Sequence, residues 1–204
     1  MAASDFPSDL NFVLQWEGGL SDDPHDPGGR TNRGITQATY DSFRNLLALS
    51  LRDVADITND EVQSIYQEDY WAPAECDALV AELDLLQFDT SVNMGVRRAL
   101  RFLQGAAGVT VDGYWGTQTQ NAVEASDYTS LVTAYADARE RYYRKLVQLR
   151  PDLSRYLTGW LNRLNAVRAR LGLPQTIVPQ GAPLNVLGHI AKIPDYGIDP
   201  QFDF

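Results

Sequence analysis

The sequence predicts a mainly α fold with one short irregular or hairpin-containing loop and a proline-rich C-terminal extension. Between residues 8 and 172, apolar residues recur at helical spacing in segments that begin near Ser, Thr or Asp and end at Gly or before Pro. The segment SDDPHDPGGRTNRG, residues 21–34, is too dense in Pro, Gly, Asp and Asn for a helix. After Gly172 the prolines are spaced too closely for a helix, at Pro174, Pro179, Pro183, Pro194 and Pro200.

The first expected helix starts near Ser8 and ends at the pair Gly18 and Gly19, because paired glycines favour a helix C-terminus. Glu17 therefore lies on the last turn of this helix. The turn-rich segment 21–34 follows it directly, and turns or a short hairpin are expected there.

Two further helices carry N-terminal capping signals. Thr36 predicts a helix through about Leu49, because a Thr side chain can accept a hydrogen bond from the first helical turn. The sequence TNDE starting at Thr58 has the capping-box pattern completed by Glu61, and it predicts a helix that reaches Trp71.

The second half of the chain is expected to be helical throughout. Thr117 and Asp127 are the predicted N-caps of two of its helices. The segment 79–93 is rich in apolar residues, which favours a helix at the centre of the domain. The five expected helices cover about 79–93, 97–104, 117–125, 128–149 and 153–171.

Composition excludes several classes of protein. The 204 residues carry a net charge of −10, whereas a nucleic-acid binder needs a surplus of Lys and Arg. The single cysteine, Cys76, excludes an intramolecular disulfide and a multi-cysteine metal site, and we expect neither a metal nor a cofactor. No segment approaches the ~20 apolar residues of a membrane span, and the acidic N-terminus resembles no export signal. We therefore expect a protein made in the cytoplasm.

The charge is unevenly distributed along the chain. Residues 1–90 hold 18 acids against four arginines, a balance of −14, whereas residues 91–172 hold six acids against 12 basic residues, a balance of +6. Most of the basic residues are arginines, which pair with carboxylates through two parallel hydrogen bonds. They either contact an acidic polymer or partner, or pair with the acidic half of the chain itself.

The acidic loop and the helix before it place three polar residues at short spacing, namely Glu17, Asp26 and Thr31. Two carboxylates suit glycoside hydrolysis, in which one protonates the leaving oxygen and the other steers water or stabilises the oxocarbenium ion. Glu17 suits the acid, Asp26 the ionised partner, and the Thr31 hydroxyl could bind the attacking water. The simpler alternative has no catalytic role: Glu17 lies near a helix C-terminus and Asp26 forms an Asx turn.

Two blocks of sequence add a family resemblance. The segment EGGLSDDPHDPGGRTNRGIT, residues 17–36, resembles the signature of glycoside hydrolase family 108, the lysozyme-like N-acetylmuramidases of phages and bacterial export systems. The segment FDTSVNMGVRRALRFLQGAAGVTVDGYWGTQT, residues 88–119, resembles the predicted peptidoglycan-binding region that follows in that family.

The resemblance implies a lysozyme-like fold and cleavage of the β-1,4 bond between N-acetylmuramic acid and N-acetylglucosamine in peptidoglycan. It places the catalytic glutamate on Glu17. Phage-type lysozymes of similar fold have an Asp and a Thr that fall on Asp26 and Thr31, with a spacing one residue longer than here. The implied organisation is a catalytic lobe at 1–90, a helical lobe at 91–172 resembling a peptidoglycan-binding region, and an extension at 173–204 outside the resemblance.

Four further residues are candidates for substrate binding. Tyr70, Trp71 and Trp115 could stack on the apolar face of a sugar, and core packing is the alternative for each. Asn93 ends an apolar helix, where an unpaired amide is costly to bury. It is either a C-cap or a ligand for the substrate N-acetyl group.

Two other functions stay open at this point. A non-cutting wall-binding or structural component of a phage or injection machine would fit the extension and the lack of an export signal. A lytic transglycosylase needs the glutamate but neither Asp26 nor Thr31, so their presence disfavours it. We expect a monomer that reaches the wall through a holin, a secretion system or a virion, with 173–204 as a possible contact to that apparatus.

Overall fold

The structure is a computed structural model that describes residues 5–22, 29–179 and 193. In this part of the chain there are eight α-helices and one two-stranded antiparallel sheet, in which Thr31 pairs with Thr36 and Asn32 with Ile35. The helices are α1 Phe6–Glu17, α2 Gln37–Leu46, α3 Asn59–Tyr66, α4 Leu83–Met94, α5 Val96–Ala106, α6 Thr117–Ala125, α7 Tyr128–Leu149 and α8 Ser154–Arg170; the strands are β1 Thr31–Asn32 and β2 Ile35–Thr36. The predicted mainly α architecture is confirmed, and of the two alternatives for the loop after the first helix, turns or a short hairpin, the structure has a hairpin.

Several helix ends follow the predicted capping. Gly18 ends α1 with a φ of 75°, and the Thr36 side chain accepts a hydrogen bond from the Thr39 amide at the start of α2. Thr58 and Glu61 form the capping box of α3. A π-helical turn, Gln67–Trp71, continues this helix.

Other helix ends differ from the predictions. Helix α2 ends at Leu46 rather than Leu49. Residue Gly116, not Thr117, is the N-cap of α6. The central helix α4 begins at Leu83 rather than Leu79, because Glu82 before it has a φ of 73°, which lies outside the helical region.

Two hydrophobic cores meet at α4, all twelve residues of which are buried. The first core lies between α1, α3, α4 and the hairpin, and it includes Phe6, Val13, Ile35, Tyr66, Trp71 and Phe88. The second lies between α4, α5, α7 and α8, and it includes Leu86, Phe102, Tyr135, Leu146, Trp160 and Leu164. The prediction that this apolar helix is central is therefore confirmed.

The described parts of the C-terminal extension contact the helices. Asn165 on α8 donates to the Thr176 carbonyl at 3.0 Å and accepts from the Thr176 amide at 2.8 Å. Ile193 is buried in the second core, and its amide donates to the Asn93 carbonyl at 2.9 Å. Across the described ranges, none of the helices has both the length and the apolar character needed to cross a membrane.

Candidate active site

Glu17 is the last residue of α1, and its side chain is only 6% exposed. Its Oε1 accepts a hydrogen bond from Nη1 of Arg163 at 2.7 Å. A carboxyl group at this depth has few solvent contacts, so its protein neighbours hold its orientation. Arg163 lies on α8, near the other end of the chain.

The hairpin packs against the Oε2 and Cβ atoms of Glu17. Gly34, in the turn between the strands, has a φ of 74°, and a β-carbon there would lie 2.8 Å from Glu17 Oε2. The same β-carbon would lie 2.7 Å from the Tyr66 hydroxyl, which donates to the Arg33 carbonyl at 2.7 Å. Burial, and secondly the negative charge of Glu17, raise the pKa of Tyr66 well above its usual value. Tyr66 therefore keeps its proton beside the carboxylate.

A chain of buried charges continues from Glu17 into the protein. Nε of Arg163 donates to Asp89 Oδ1 at 2.7 Å, and Nη2 of Arg139 lies 2.6 Å from Asp89 Oδ2. The side chains of these two arginines and of Asp89 are fully buried. Arg139 also donates to the Tyr143 hydroxyl at 2.9 Å.

The four charges in this chain balance. Glu17 and Asp89 supply two negative charges, and Arg139 and Arg163 supply two positive ones. Burial alone lowers the pKa of Arg163, but the carboxylates of Asp89 and Glu17 outweigh burial and raise it above its ordinary value. A buried ion pair is stable only when such partners compensate the loss of hydration, so the balance keeps both arginines charged.

The two other residues of the predicted catalytic set are Thr31 and Asp26. Thr31 is on β1, where its hydroxyl donates to the Gly29 carbonyl at 2.9 Å and its backbone pairs with Ser21. A hydroxyl that donates in this way still has lone pairs to accept a hydrogen bond from water. Asp26 lies outside the described residues.

The predicted aromatic binding residues Tyr70 and Trp71 have separate environments. The half-buried Tyr70 ring lies 5.5 Å from the Tyr66 ring, at the edge of the first core. Trp71 is 1% exposed, its Nε1 donates to Asp77 at 2.9 Å, and its ring packs edge-on against Phe88. This burial contradicts the prediction that Trp71 stacks on a sugar, because both ring faces are covered by protein. Core packing, the alternative, is what the structure shows.

Asn93 and Trp115 lie in the second half of the fold. Asn93 is 1% exposed and its Oδ1 accepts from the Tyr143 hydroxyl at 2.7 Å, so the prediction that its amide binds substrate is contradicted. It is not the C-cap either, because Gly95 ends α4. Trp115 is half-buried against the second core, and part of its surface faces solvent.

Sequence reasoning missed the charged residues behind Glu17. Asp89 follows Phe88 in the fully buried helix α4, and Arg163 lies among the buried residues Trp160, Leu161 and Leu164 of α8. A charged residue on an apolar face is a signal for a buried pair, although no pattern in the sequence connects positions so far apart.

The distribution of charge along the chain has a structural explanation. The arginines of the basic half that pair with the acidic half include Arg163, which contacts Glu17 and Asp89, and Arg139, which contacts Asp89. The interpretation that part of the basic half neutralises the chain's own acids is therefore confirmed for these residues.

Known proteins resemble this chain along most of its length. The family model Glycosyl hydrolase 108 matches residues 10–95, and the model Predicted Peptidoglycan domain matches residues 98–165. Among solved structures, Brucella abortus SagA is 31% identical and superposes with a TM-score of 0.68, covering 84% of this chain and 96% of that chain. The search of curated proteins finds no match.

The two matched regions follow one another in the order that the sequence resemblance implies. The architecture is accordingly the predicted mainly α, lysozyme-like one. The chain belongs to glycosyl hydrolase family 108 and is a glycoside hydrolase that acts on peptidoglycan of the cell wall.

Proposed function

We propose that the protein is an N-acetylmuramidase that hydrolyses the β-1,4 bond between N-acetylmuramic acid and N-acetylglucosamine, with Glu17 as the general acid. The observation that carries the proposal is the position of Glu17. It is an almost fully buried carboxyl group at the end of α1, enclosed by the Gly34 turn and held by Arg163. A general acid has to be held within hydrogen-bond reach of the oxygen that it protonates, and these contacts fix the position of the Glu17 carboxyl group.

The proposed reaction assigns a role to each residue of the set. Glu17 gives its proton to the glycosidic oxygen as the bond between that oxygen and the anomeric carbon breaks. A water molecule then forms the new bond to the anomeric carbon, and Asp26 accepts the proton that this water releases. The Thr31 hydroxyl accepts a hydrogen bond from the same water. Tyr70 and Trp115 are the proposed sugar-stacking residues.

The stereochemical outcome depends on the separation of the two carboxyl groups. We propose inversion, in which about 6.5–9.5 Å between Glu17 and Asp26 leaves room for water. A covalent retaining mechanism needs about 5–5.5 Å. Analysis of the first-formed anomer by NMR distinguishes the two outcomes.

The test compares digestion of purified peptidoglycan by the wild-type protein, Glu17→Gln and Glu124→Gln. Glu124 is an exposed glutamate on α6 whose neighbour Gln120 donates to it, so its change controls for the loss of a carboxylate elsewhere. We expect the wild type and Glu124→Gln to release fragments with reducing N-acetylmuramic acid ends, and Glu17→Gln to release none.

Other results would support other functions. Anhydro-muramic ends would indicate a lytic transglycosylase, and reducing N-acetylglucosamine ends would indicate cleavage of the other glycosidic bond. Binding without cleavage by the wild type would favour a wall-binding or structural component. Activity retained by Glu17→Gln would exclude Glu17 as the acid. Delivery through a holin, a secretion system or a virion, any contact through 173–204 and the monomeric state stay predictions.

A further inference from the structure

The contact between Glu17 and Arg163 joins the two regions that separate family models match. Glu17 lies within residues 10–95 and Arg163 within residues 98–165. We propose that Arg163 is a positioning residue, which holds Oε1 of Glu17 so that Oε2 is the oxygen that carries the transferred proton. This inference rests on the proposed function of Glu17 as the acid.

The guanidinium of Arg163 is itself held in place. Its Nη1 contacts Glu17 and its Nε contacts Asp89, each at 2.7 Å. Asp89 is in turn held by Arg139 on α7, at 2.6 Å. A planar guanidinium bound along two edges by carboxylates has one orientation, so the position of Glu17 Oε1 is set by three helices outside its own.

The two oxygens of Glu17 therefore have different surroundings. Oε1 accepts a charge-assisted hydrogen bond from Arg163, which strongly disfavours a proton on that oxygen. Oε2 faces the Gly34 turn on the hairpin side, 2.8 Å from where a β-carbon would be. When Glu17 is protonated, the proton is thus directed to Oε2.

This geometry gives the second matched region a role in catalysis. Helices α7 and α8 share the second core with α4, and through Arg139 and Arg163 they reach the carboxyl group of Glu17. The region 98–165 is therefore part of the active centre, in addition to any contact that it makes with the wall.

The variant that tests this role is Arg163→Lys, which keeps the charge but loses the two-edged guanidinium. Its matched control is Arg168→Lys on the same helix. Arg168 is also buried and paired, but with Asp137 and Glu140 and not with Glu17. Both variants are assayed on soluble, uncrosslinked glycan strands, with thermal unfolding as the check on folding.

We expect Arg163→Lys to lower kcat about 100-fold with KM changed by no more than about twofold, because misplacing an acid by about 1 Å has an effect of this size. We also expect the pH profile of kcat to change in Arg163→Lys and to be unchanged in Arg168→Lys. A purely structural arginine would not alter the pH profile in this selective way.

A second measurement does not depend on the folding of Arg163→Lys. In protein labelled with [15N]arginine, the Nη–H signals of Arg163 should be resolved in the wild type, because the group is held, and should shift in Glu17→Gln. Signals that do not respond to Glu17→Gln would overturn the inference.

The two proposals fail in different ways. If the wild type cleaves no glycan, the proposed function fails, and the positioning role with it. If the wild type is active but Arg163→Lys matches Arg168→Lys in kcat and pH profile, only the positioning role is overturned.

Discussion

Gly34 and Glu17 are in such close contact that a β-carbon at residue 34 would lie 2.8 Å from the Glu17 Oε2 and 3.2 Å from its Cβ. The turn that joins the two short strands thus covers the carboxyl group proposed as the acid. The φ of Gly34 is 74°, a backbone conformation that residues other than glycine adopt only with strain.

Gly34→Ala should therefore lower activity strongly, because the added methyl group displaces either Glu17 or the hairpin. We expect kcat to fall by about 100-fold, the effect of a displacement of about 1 Å. The matched control is Gly108→Ala, since Gly108 has a similar φ of 71° but a β-carbon there would have no atom of the described residues within 4 Å. Equal losses in the two variants would show that backbone strain, and not contact with Glu17, is responsible.

Asp89→Asn should destabilise the protein. It leaves Arg139 and Arg163 buried with Glu17 as the remaining negative partner in their chain. Breaking a buried ion pair by removing one partner costs about 3–5 kcal/mol, which chemical denaturation of the variant and the wild type measures. The control is Asp152→Asn, which removes the exposed partner of Arg150 and should change stability little. Similar free energies of unfolding for the two variants would contradict the importance of the buried chain.

A buried acid two turns before Glu17 on α1 makes stability depend on pH. Burial, and secondly the charge of Asp84, raise the pKa of Asp9 to about 7. A carboxyl group with a raised pKa binds its proton more tightly in the folded state than in the unfolded chain. Its contribution to stability is complete below the unfolded value of about 4 and is lost as the pH rises through about 7.

Asp9→Asn should remove this dependence, because the amide is uncharged at every pH. We expect the Tm of the variant, relative to the wild type, to rise between pH 5 and pH 8. The groups whose charges act on Asp9 are Asp5, Glu82, Asp84 and Arg170, and all stay in place in the variant. Asp60→Asn, a change at an exposed acid of α3, is the control. The same difference in Tm at both pH values would contradict the role of Asp9.

Trp71→Phe should affect stability and not substrate binding. The change leaves a cavity beside Phe6 and Phe88 and removes the hydrogen bond to Asp77, at a cost of about 1–3 kcal/mol. We expect KM for glycan strands to be unchanged, as measured on soluble strands. A higher KM with an unchanged Tm would show instead that Trp71 contributes to substrate binding.

Local signals predicted much of the fold. Caps at Thr36, Thr58 and Asp127 accept the expected hydrogen bonds, and Gly18 ends α1 as predicted. These signals succeed because a helix end is decided by a few adjacent residues. The prediction that the central helix starts at Leu79 is wrong, because the backbone of Glu82 is not helical and α4 begins only after it.

Predictions for the site depended on contacts between distant positions. Trp71 had a sugar-stacking and a core interpretation, and packing against Phe88 of α4 decided for the core. Asn93 had a C-cap and a substrate-binding interpretation, and its buried contact with Tyr143 of α7 agrees with neither. A sequence pattern shows that a residue is apolar or polar, but its exposure depends on which elements cover it.

Local patterns and contiguous motifs were enough to predict the helical architecture, a turn-rich or hairpin-containing loop after α1, the family resemblance and Glu17 as the candidate acid. The surroundings of Glu17, in contrast, depend on how the whole chain packs. Arg163 is 146 residues away in the chain, and Asp89 and Arg139 lie on two further helices. Their charges are buried together because the loss of hydration of each is compensated only by the others, and that compensation exists once the helices have packed.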